Sequence, residues 1–109
     1  METAQIRIGL EYRTQDEKLV VSVEKGRNIK ALCFQDVNHV YLKGRLVPYQ
    51  AEEEMSFKTR KSSKMNHPVY QDQFIFKIGK STLLNKTLQL DLYGTLVAER
   101  KVACLVSFI

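Results

Sequence analysis

The residues of this chain whose types and spacing most clearly indicate chemistry are lysines and arginines. Four of them alternate with other residues along two short runs, and two more follow closely. The six are Lys43, Arg45, Lys58, Arg60, Lys61 and Lys64. Because residues two apart on an extended strand point to the same face, the first four would share one outer face if the two runs were paired strands. Such a surface favours anionic partners: phospholipid headgroups, nucleic acid or acidic protein segments.

Catalytic and metal chemistry are not indicated. The chain has no Gly-x-Ser-x-Gly turn, no phosphate-binding glycine loop and no carboxylate pair set up for acid–base work. Two histidines and two cysteines lack the short spacings of zinc ligands. They are His39, His67, Cys33 and Cys104. We therefore predict that the protein is not an enzyme, has no metal site or cofactor, and takes no small-molecule substrate.

Composition indicates one packed domain covering residues 1–109. Apolar residues make up 44% and charged residues 27%, which is ordinary globular usage, and 17 Lys+Arg against 12 Asp+Glu give a net charge of +5. Cys33 and Cys104 adjoin apolar residues, which favours reduced core thiols. No apolar run approaches the roughly 18 residues of a membrane span, and no signal segment opens the chain, so we expect a cytosolic location.

Short runs of alternating apolar and polar residues recur along the whole sequence and predict half-buried strands. The seven predicted strands are 5–12, 18–24, 40–47, 56–61, 73–78, 88–92 and 102–109, with a helical turn at 81–86. The first two form a hairpin around a polar turn. Many short strands without sustained helical periodicity favour an all-β, antiparallel sandwich of two sheets, with closure into a barrel as the alternative.

Four blocks of the sequence resemble the C2 domains of synaptotagmin-type proteins. The blocks are Ile6-Arg7-Ile8-Gly9-Leu10-Glu11-Tyr12, Val40-Tyr41-Leu42-Lys43-Gly44-Arg45-Leu46-Val47-Pro48, Phe57-Lys58-Thr59-Arg60 and His67-Pro68-Val69-Tyr70-Gln71-Asp72-Gln73-Phe74-Ile75-Phe76. They are similar to the family's first strand ending in Leu-x-Tyr, its Tyr-Val-Lys strand ending in Leu-Pro, its Lys-Thr strand, and its Asn-Pro-x-Phe/Tyr-Asn-Glu-x-Phe-x-Phe signature. The resemblance implies a Greek-key sandwich of eight strands, of which seven are visible here, and loops that bind calcium and anionic lipid in many members.

The calcium ligands implied by the resemblance are largely missing. The first of the two loops that carry aspartates, residues 33–39, holds only Asp36, and His39 stands where the family usually has aspartate. The other loop, residues 94–99, holds no aspartate and ends in Glu99. Calcium takes six to eight oxygen ligands, several of them carboxylates. We therefore predict that any membrane binding is independent of calcium.

The resemblance implies that a basic surface on the third and fourth strands binds phosphoinositide headgroups or acidic protein segments. We predict a calcium-independent C2 module that binds anionic phospholipid membranes in trafficking or signalling through Lys43, Arg45, Lys58 and Arg60, extended by Lys61 and Lys64. The alternative is a protein-interaction domain that no longer binds lipid. Lys and Arg are also common on exposed strand faces, where they increase solubility. The clustering favours a binding role, because residues 57–64 hold four cations and no acidic residue. Nucleic acid is disfavoured because the basic stretch lacks stacking aromatics.

Overall fold

The computed structural model of the protein describes residues 4–29, 37–48, 55–64, 66–96 and 102–108. These residues contain seven strands and one short helix. In chain order they are β1 (Gln5–Arg13), β2 (Lys18–Arg27), β3 (Val37–Val47), β4 (Ser56–Lys58), β5 (Val69–Lys77), α1 (Lys80–Leu83), β6 (Thr87–Leu96) and β7 (Val102–Phe108).

The strands form two antiparallel sheets. One has three strands in the order β1-β2-β5, and the other has four in the order β4-β3-β6-β7. The chain crosses from the three-stranded sheet to the other after β2, returns after β4 and crosses again after β5. Because each sheet has one apolar face, the two faces pack together. The predicted all-β sandwich of two sheets is therefore confirmed, and the first two strands form the predicted hairpin.

The core consists of alternating residues from the inner faces of both sheets. Its buried members are Leu19, Val21, Val23, Ile29, Val40, Leu42, Leu46, Phe57, Tyr70, Phe76, Ile78 and Leu92. Phe57 of β4 stacks on Phe74 of β5, with ring centroids 4.3 Å apart, so the two sheets meet ring to ring along this side. Gly44 lies beneath Phe57, and a Cβ at this position would overlap the ring.

Several predicted boundaries differ from the observed ones; β5 begins at Val69 and not at residue 73, and β6 extends to Leu96 and not to residue 92. The second strand is predicted to end at residue 24, ahead of Gly26, but it continues to Arg27. The Gly26 N–H donates to the Pro68 carbonyl at 2.8 Å, and a Cβ would approach Ile29 and Pro68 to 2.9 Å, so this glycine permits close packing inside a strand. His39, predicted in a loop, lies in β3, which begins at Val37.

The fourth strand is shorter than predicted, and an irregular segment follows it. The Thr59 N–H donates to the Leu42 carbonyl at 2.8 Å, and Ser62 exchanges two backbone hydrogen bonds with Val40, each of 2.9 Å. Between these two contacts β3 has one residue, Tyr41, whereas the segment after β4 has two, Arg60 and Lys61. This is the arrangement of a β-bulge, which re-aims the side chains of the extra residues. The predicted strand 56–61 therefore ends at Lys58.

Candidate anion-binding surface

Three of the predicted cations lie together on the outer face of the four-stranded sheet. Lys43 and Arg45 alternate with buried residues along β3, and Lys58 projects from β4. All three line an open hollow of about 530 Å³, whose wall on the other side is formed by Asp91 and Tyr93 of β6. Alternation along β3 therefore positions the cations as the sequence predicted.

Lys43 and Lys58 are directly opposite each other in the β3–β4 ladder. Like charges in this position disfavour strand pairing. Among the described residues, neither ammonium group is in an ion pair, although Asp91 is the β6 residue opposite Lys43. The two positive charges are therefore held side by side, and no carboxylate of the described residues, Asp91 included, forms an ion pair with either.

Aromatic rings support both ammonium groups. The Lys43 Nζ lies 5.0 Å from the centroid of the Tyr93 ring, and the Lys58 Nζ lies 4.9 Å from that of Tyr41. The two tyrosines are cross-strand partners and stack with centroids 5.5 Å apart. A cation over an aromatic face gains about 0.5–1 kcal/mol at an exposed site. The rings thus orient the lysines and leave their charge available.

The stacked pair also affects the chemistry of Tyr41. Burial raises the pKa of its hydroxyl, and the neighbouring Tyr93 raises it further, so Tyr41 is neutral near physiological pH. Tyr93 was not predicted as part of the site, because its contact with Lys43 depends on the pairing of β3 with β6. That register is not encoded in any local pattern of the sequence.

Arg45 is attached to the same face by a neutral partner. Its guanidinium donates to the Gln89 carbonyl oxygen at 3.4 Å, and Gln89 in turn donates to Asp91 at 3.3 Å. Gln89 thus bridges Arg45 and Asp91, and among the described residues Arg45 is in no direct ion pair. Arg45 therefore adds positive charge to the surface.

Arg60 does not share this face, and the predicted group of four is corrected here to three. The bulge turns its side chain towards β5, where its Nη2 lies 3.0 Å from Asp72 Oδ1 and donates to the Tyr70 carbonyl at 3.0 Å. Its backbone N–H donates to the other Asp72 oxygen at 3.1 Å. The carboxylate neutralises Arg60, which fastens the bulge to the opposite sheet.

Lys61 and Lys64 lie on the adjoining turn. Lys61 Nζ is 5.8 Å from the centroid of Tyr41, so this residue joins Lys43, Arg45 and Lys58. We call these four residues the basic surface. Lys64 lines a neighbouring hollow with Arg60 and Lys61, and its N–H donates to the Ser62 hydroxyl at 3.2 Å.

Several of the residues considered as metal ligands lie outside the part of the chain that the structure describes. Asp36, Cys33 and Glu99 lie outside the described residues. His67 is exposed, with its Nε2 3.4 Å from the Asn66 amide nitrogen. Within residues 4–29, 37–48, 55–64, 66–96 and 102–108, no three His, Cys, Asp or Glu side chains are grouped to hold a metal ion.

No helix among the described residues has the length and apolar character of a membrane span.

Solved structures with the same architecture are C2 domains. A C2 domain of RIM from Drosophila has a TM-score of 0.78, covers 94% of this chain and 81% of its own, and is 15% identical. The third C2 domain of the KIAA1228 protein has a TM-score of 0.78, covers 96% of this chain and 73% of its own, and is 23% identical. The chain therefore has the fold of a C2 domain, as the four sequence blocks indicated.

The similar curated sequences come from much longer proteins. Mouse WWC2 is 32% identical over 92 residues, which are 84% of this chain and 8% of that protein. Kibra from Drosophila ananassae is 37% identical over 90 residues, 81% of this chain and 7% of that protein. Synaptotagmin-1 from Pongo abelii is 30% identical over 88 residues, 81% of this chain and 20% of that protein. No family model matches the chain.

Proposed function

We propose that this chain is a calcium-independent C2 module, not an enzyme, that attaches to anionic phospholipid on the cytoplasmic side of membranes. Its ligand is the phosphate-bearing headgroup of a phosphoinositide, and its role is in trafficking or signalling. The binding residues are Lys43, Arg45, Lys58 and Lys61, with Lys64 at the margin. Arg60, which pairs with Asp72, positions the bulge, and the proposal gives it no lipid contact.

The observation that carries this proposal is the opposed pair Lys43 and Lys58. Two ammonium groups side by side repel each other, and a phosphate placed between them would relieve the repulsion and accept a hydrogen bond from each. The stacked tyrosines hold both groups over the hollow, so little side-chain entropy is lost on binding. An arrangement needed only for solubility would not require the cations to be held this way.

The expected strength of membrane attachment follows from the number of free cations. Each Lys or Arg near an anionic membrane contributes about 1 kcal/mol, so the four residues of the basic surface together supply roughly 4 kcal/mol. Surface electrostatics are screened over about 8–10 Å at physiological salt. Attachment is therefore reversible and weakens as salt increases.

Calcium independence rests on the ligand inventory of the sequence. Residues 33–39 contain one aspartate, Asp36, and residues 94–99 contain none. A calcium site built from one aspartate, Glu99 and backbone carbonyls would fall short of the usual set of carboxylates. The basic surface requires no metal to attract an anion.

Vesicle co-sedimentation tests the proposal. The protein is mixed with vesicles of phosphatidylcholine alone, with added phosphatidylserine, and with added phosphoinositide, each in calcium or chelator and at low and high salt. We expect binding to the acidic vesicles only, equal in calcium and chelator, and weaker at high salt. A requirement for calcium would contradict the proposed mechanism.

A matched pair of variants locates the binding face. The double variant Lys43→Glu/Lys58→Glu reverses the opposed pair on the basic surface, and we expect it to lose binding to acidic vesicles. Lys18 and Lys77 are also directly opposite each other, but between β2 and β5 of the other sheet. The control Lys18→Glu/Lys77→Glu changes net charge equally and should retain binding. Equal binding by both variants would exclude the proposed face, and no binding by the unchanged protein would favour the protein-interaction alternative.

A further inference from the structure

We propose that Ser63 is a phosphorylation site for a protein kinase that selects basic residues, and that its phosphate releases the protein from anionic membranes. The inference rests on the proposed function, because it describes how the same basic surface is regulated. It is carried by the position of one accessible hydroxyl within the cationic segment 57–64.

The hydroxyls near the basic surface differ sharply in availability. Thr59 is 3% exposed, and its Oγ1 accepts the Leu42 N–H at 2.9 Å and donates to the Arg60 carbonyl at 3.0 Å. Ser62 is half-buried, bridged to Val40 by its backbone, and its hydroxyl accepts the Lys64 N–H. Neither hydroxyl can reach the active site of a kinase unless these contacts break.

Ser63 has none of these restraints. It is exposed, lies at a bend and lines the hollow that contains Arg60, Lys61 and Lys64. Within the described part of the chain, its hydroxyl makes no hydrogen bond that would have to be broken first. A phosphate on Ser63 would enter a pocket that already presents cations.

The sequence around Ser63 has the charge pattern that a basic-directed kinase recognises. Arg60 lies three residues before it, Lys61 two before and Lys64 one after. The Arg60 side chain is paired with Asp72 but 77% exposed, so binding to a kinase exchanges Asp72 for an acidic group of the kinase. Kinases of this class discriminate substrates through charge complementarity with acidic groups in their cleft. Ser56 also borders the basic surface, but it follows Glu52, Glu53 and Glu54, which such a cleft would repel.

The transfer itself follows ordinary phosphoryl chemistry. The Ser63 Oγ attacks the γ-phosphorus of ATP, the Oγ–P bond forms, and the bond from the γ-phosphorus to the β–γ bridging oxygen breaks. The hydroxyl proton passes to the catalytic carboxylate of the kinase, and ADP leaves. The product carries a charge of about −1.5 to −2 at pH 7 and three strong acceptor oxygens.

The phosphate acts on the basic surface by charge and by competition. Its charge offsets about half of the four cations in the basic surface. Its oxygens accept charge-assisted hydrogen bonds from Lys61 and Lys64, and so draw Lys61 away from Tyr41. Loss of two cations' worth of attraction corresponds to about 30-fold weaker binding to acidic vesicles.

The experiment combines site mapping with vesicle binding. The whole chain is incubated with MgATP and a purified kinase that selects arginine at the third position before serine. Mass spectrometry locates the phosphate, and co-sedimentation with phosphoinositide vesicles follows. We expect phosphate on Ser63 and about 30-fold weaker binding. Ser63→Ala should accept no phosphate there and keep full binding after kinase treatment, whereas Ser62→Ala should behave as the unchanged protein.

Each other result overturns a defined part of the proposal. Phosphate on Ser62, or on no residue of the turn, overturns the site. Phosphate on Ser63 with unchanged vesicle binding overturns the switch, and so does a loss of binding that accompanies unfolding in circular dichroism. If unphosphorylated protein binds no vesicle, the proposed function fails and the switch fails with it, whereas the mass spectrum still decides whether Ser63 is a kinase site.

Discussion

The outer faces of the two sheets differ in the groups that contact their cations. On the three-stranded sheet, Arg7 lies 3.0 Å from Glu24 and Arg13 lies 3.0 Å from Glu11, so both arginines have a carboxylate. On the four-stranded sheet, Lys43 and Lys58 are directly opposite each other, and tyrosine rings support them. Exposed ion pairs contribute little to stability, so the pairing on the first sheet chiefly removes free charge. The second sheet preserves free charge in one place.

This difference separates a face of paired cations from the proposed binding face better than net charge does. The chain carries +5 in total, but among the described residues the basic surface is where neighbouring lysines lie over aromatic rings and outside any ion pair, whereas Lys18 and Lys77 of the other sheet are opposed without such rings. Four changes test this contrast, and each is compared with a matched control substitution.

The largest expected effect on stability comes from two strand glycines. Gly44→Ala places a methyl group in the Phe57 ring, which is stacked on Phe74 and has little room to move. We expect the free energy of unfolding to fall by about 1–3 kcal/mol. In Gly9→Ala the new methyl meets only Ser22, at an ordinary 3.4 Å. Here a gain of about 0.5–1 kcal/mol is expected, because glycine weakens a strand interior.

The free energy of unfolding of both variants is measured in urea, with circular dichroism as the signal. The reverse order of midpoints would contradict the tight packing of the Phe57 ring against Gly44.

The second effect concerns a hydrogen bond that joins the two sheets. The buried Tyr70 hydroxyl of β5 donates to the Val40 carbonyl of β3 at 2.9 Å. Tyr70→Phe leaves this carbonyl without that donor, and we expect a loss of about 1–2 kcal/mol. Tyr12, whose hydroxyl donates to Ile78 at 2.8 Å on a more open part of the molecule, provides the comparison. Tyr12→Phe should cost less.

Alkaline titration sharpens this comparison. Burial, assisted by Asp72, raises the pKa of Tyr70 well above its ordinary value of 10.0. The unfolded chain therefore loses the tyrosine proton first, and stability is complete below about pH 10 and declines as pH rises above it. Tyr70→Phe should show a shallower decline when unfolding is measured from pH 8 to 11. An unchanged slope would mean that Tyr70 does not govern the alkaline loss.

The predictable part of this molecule is the part governed by alternation. The burial of Val40, Leu42 and Leu46, and the exposure of Lys43 and Arg45, follow from a two-residue period within one strand. The two-sheet class likewise follows from many short strands. These features depend on neighbours in sequence, so a single sequence is sufficient to predict them.

The features that escaped prediction depend on contacts between distant segments. Arg60 has the right spacing to continue the outer face of β4, but the bulge at 59–62 turns its side chain into an ion pair with Asp72. Tyr93 becomes a support for Lys43 only through the β3–β6 register. A glycine at position 26 signals a break to any local rule, whereas the space it leaves is filled by Ile29 and Pro68. Register, bulges and packing depend on contacts between distant segments, so the alternation of residues within one strand does not predict them.

The third effect follows from releasing Arg60. Asp72 is 16% exposed and holds an arginine whose side chain is 77% exposed, so Asp72→Asn should lower stability by only about 1 kcal/mol. It also frees one cation beside the basic surface, and we expect about fivefold tighter binding to acidic vesicles. Glu24→Gln frees Arg7 on the other sheet and serves as the control. Equal gains from both variants would indicate that total charge, and not its location, determines binding.

The smallest effect isolates the contribution of the aromatic floor. In Tyr93→Leu the Lys43 ammonium group loses the ring that lies 5.0 Å away, while the charge of the surface is unchanged. The loss of about 0.5–1 kcal/mol corresponds to roughly two- to fivefold weaker binding to phosphoinositide vesicles, with the salt dependence preserved because the number of cations is the same. Tyr93→Phe keeps the ring and should bind as the unchanged protein. If both substitutions weaken binding equally, the hydroxyl contacts the headgroup directly, and Tyr93 belongs to the ligand-binding residues instead of supporting them.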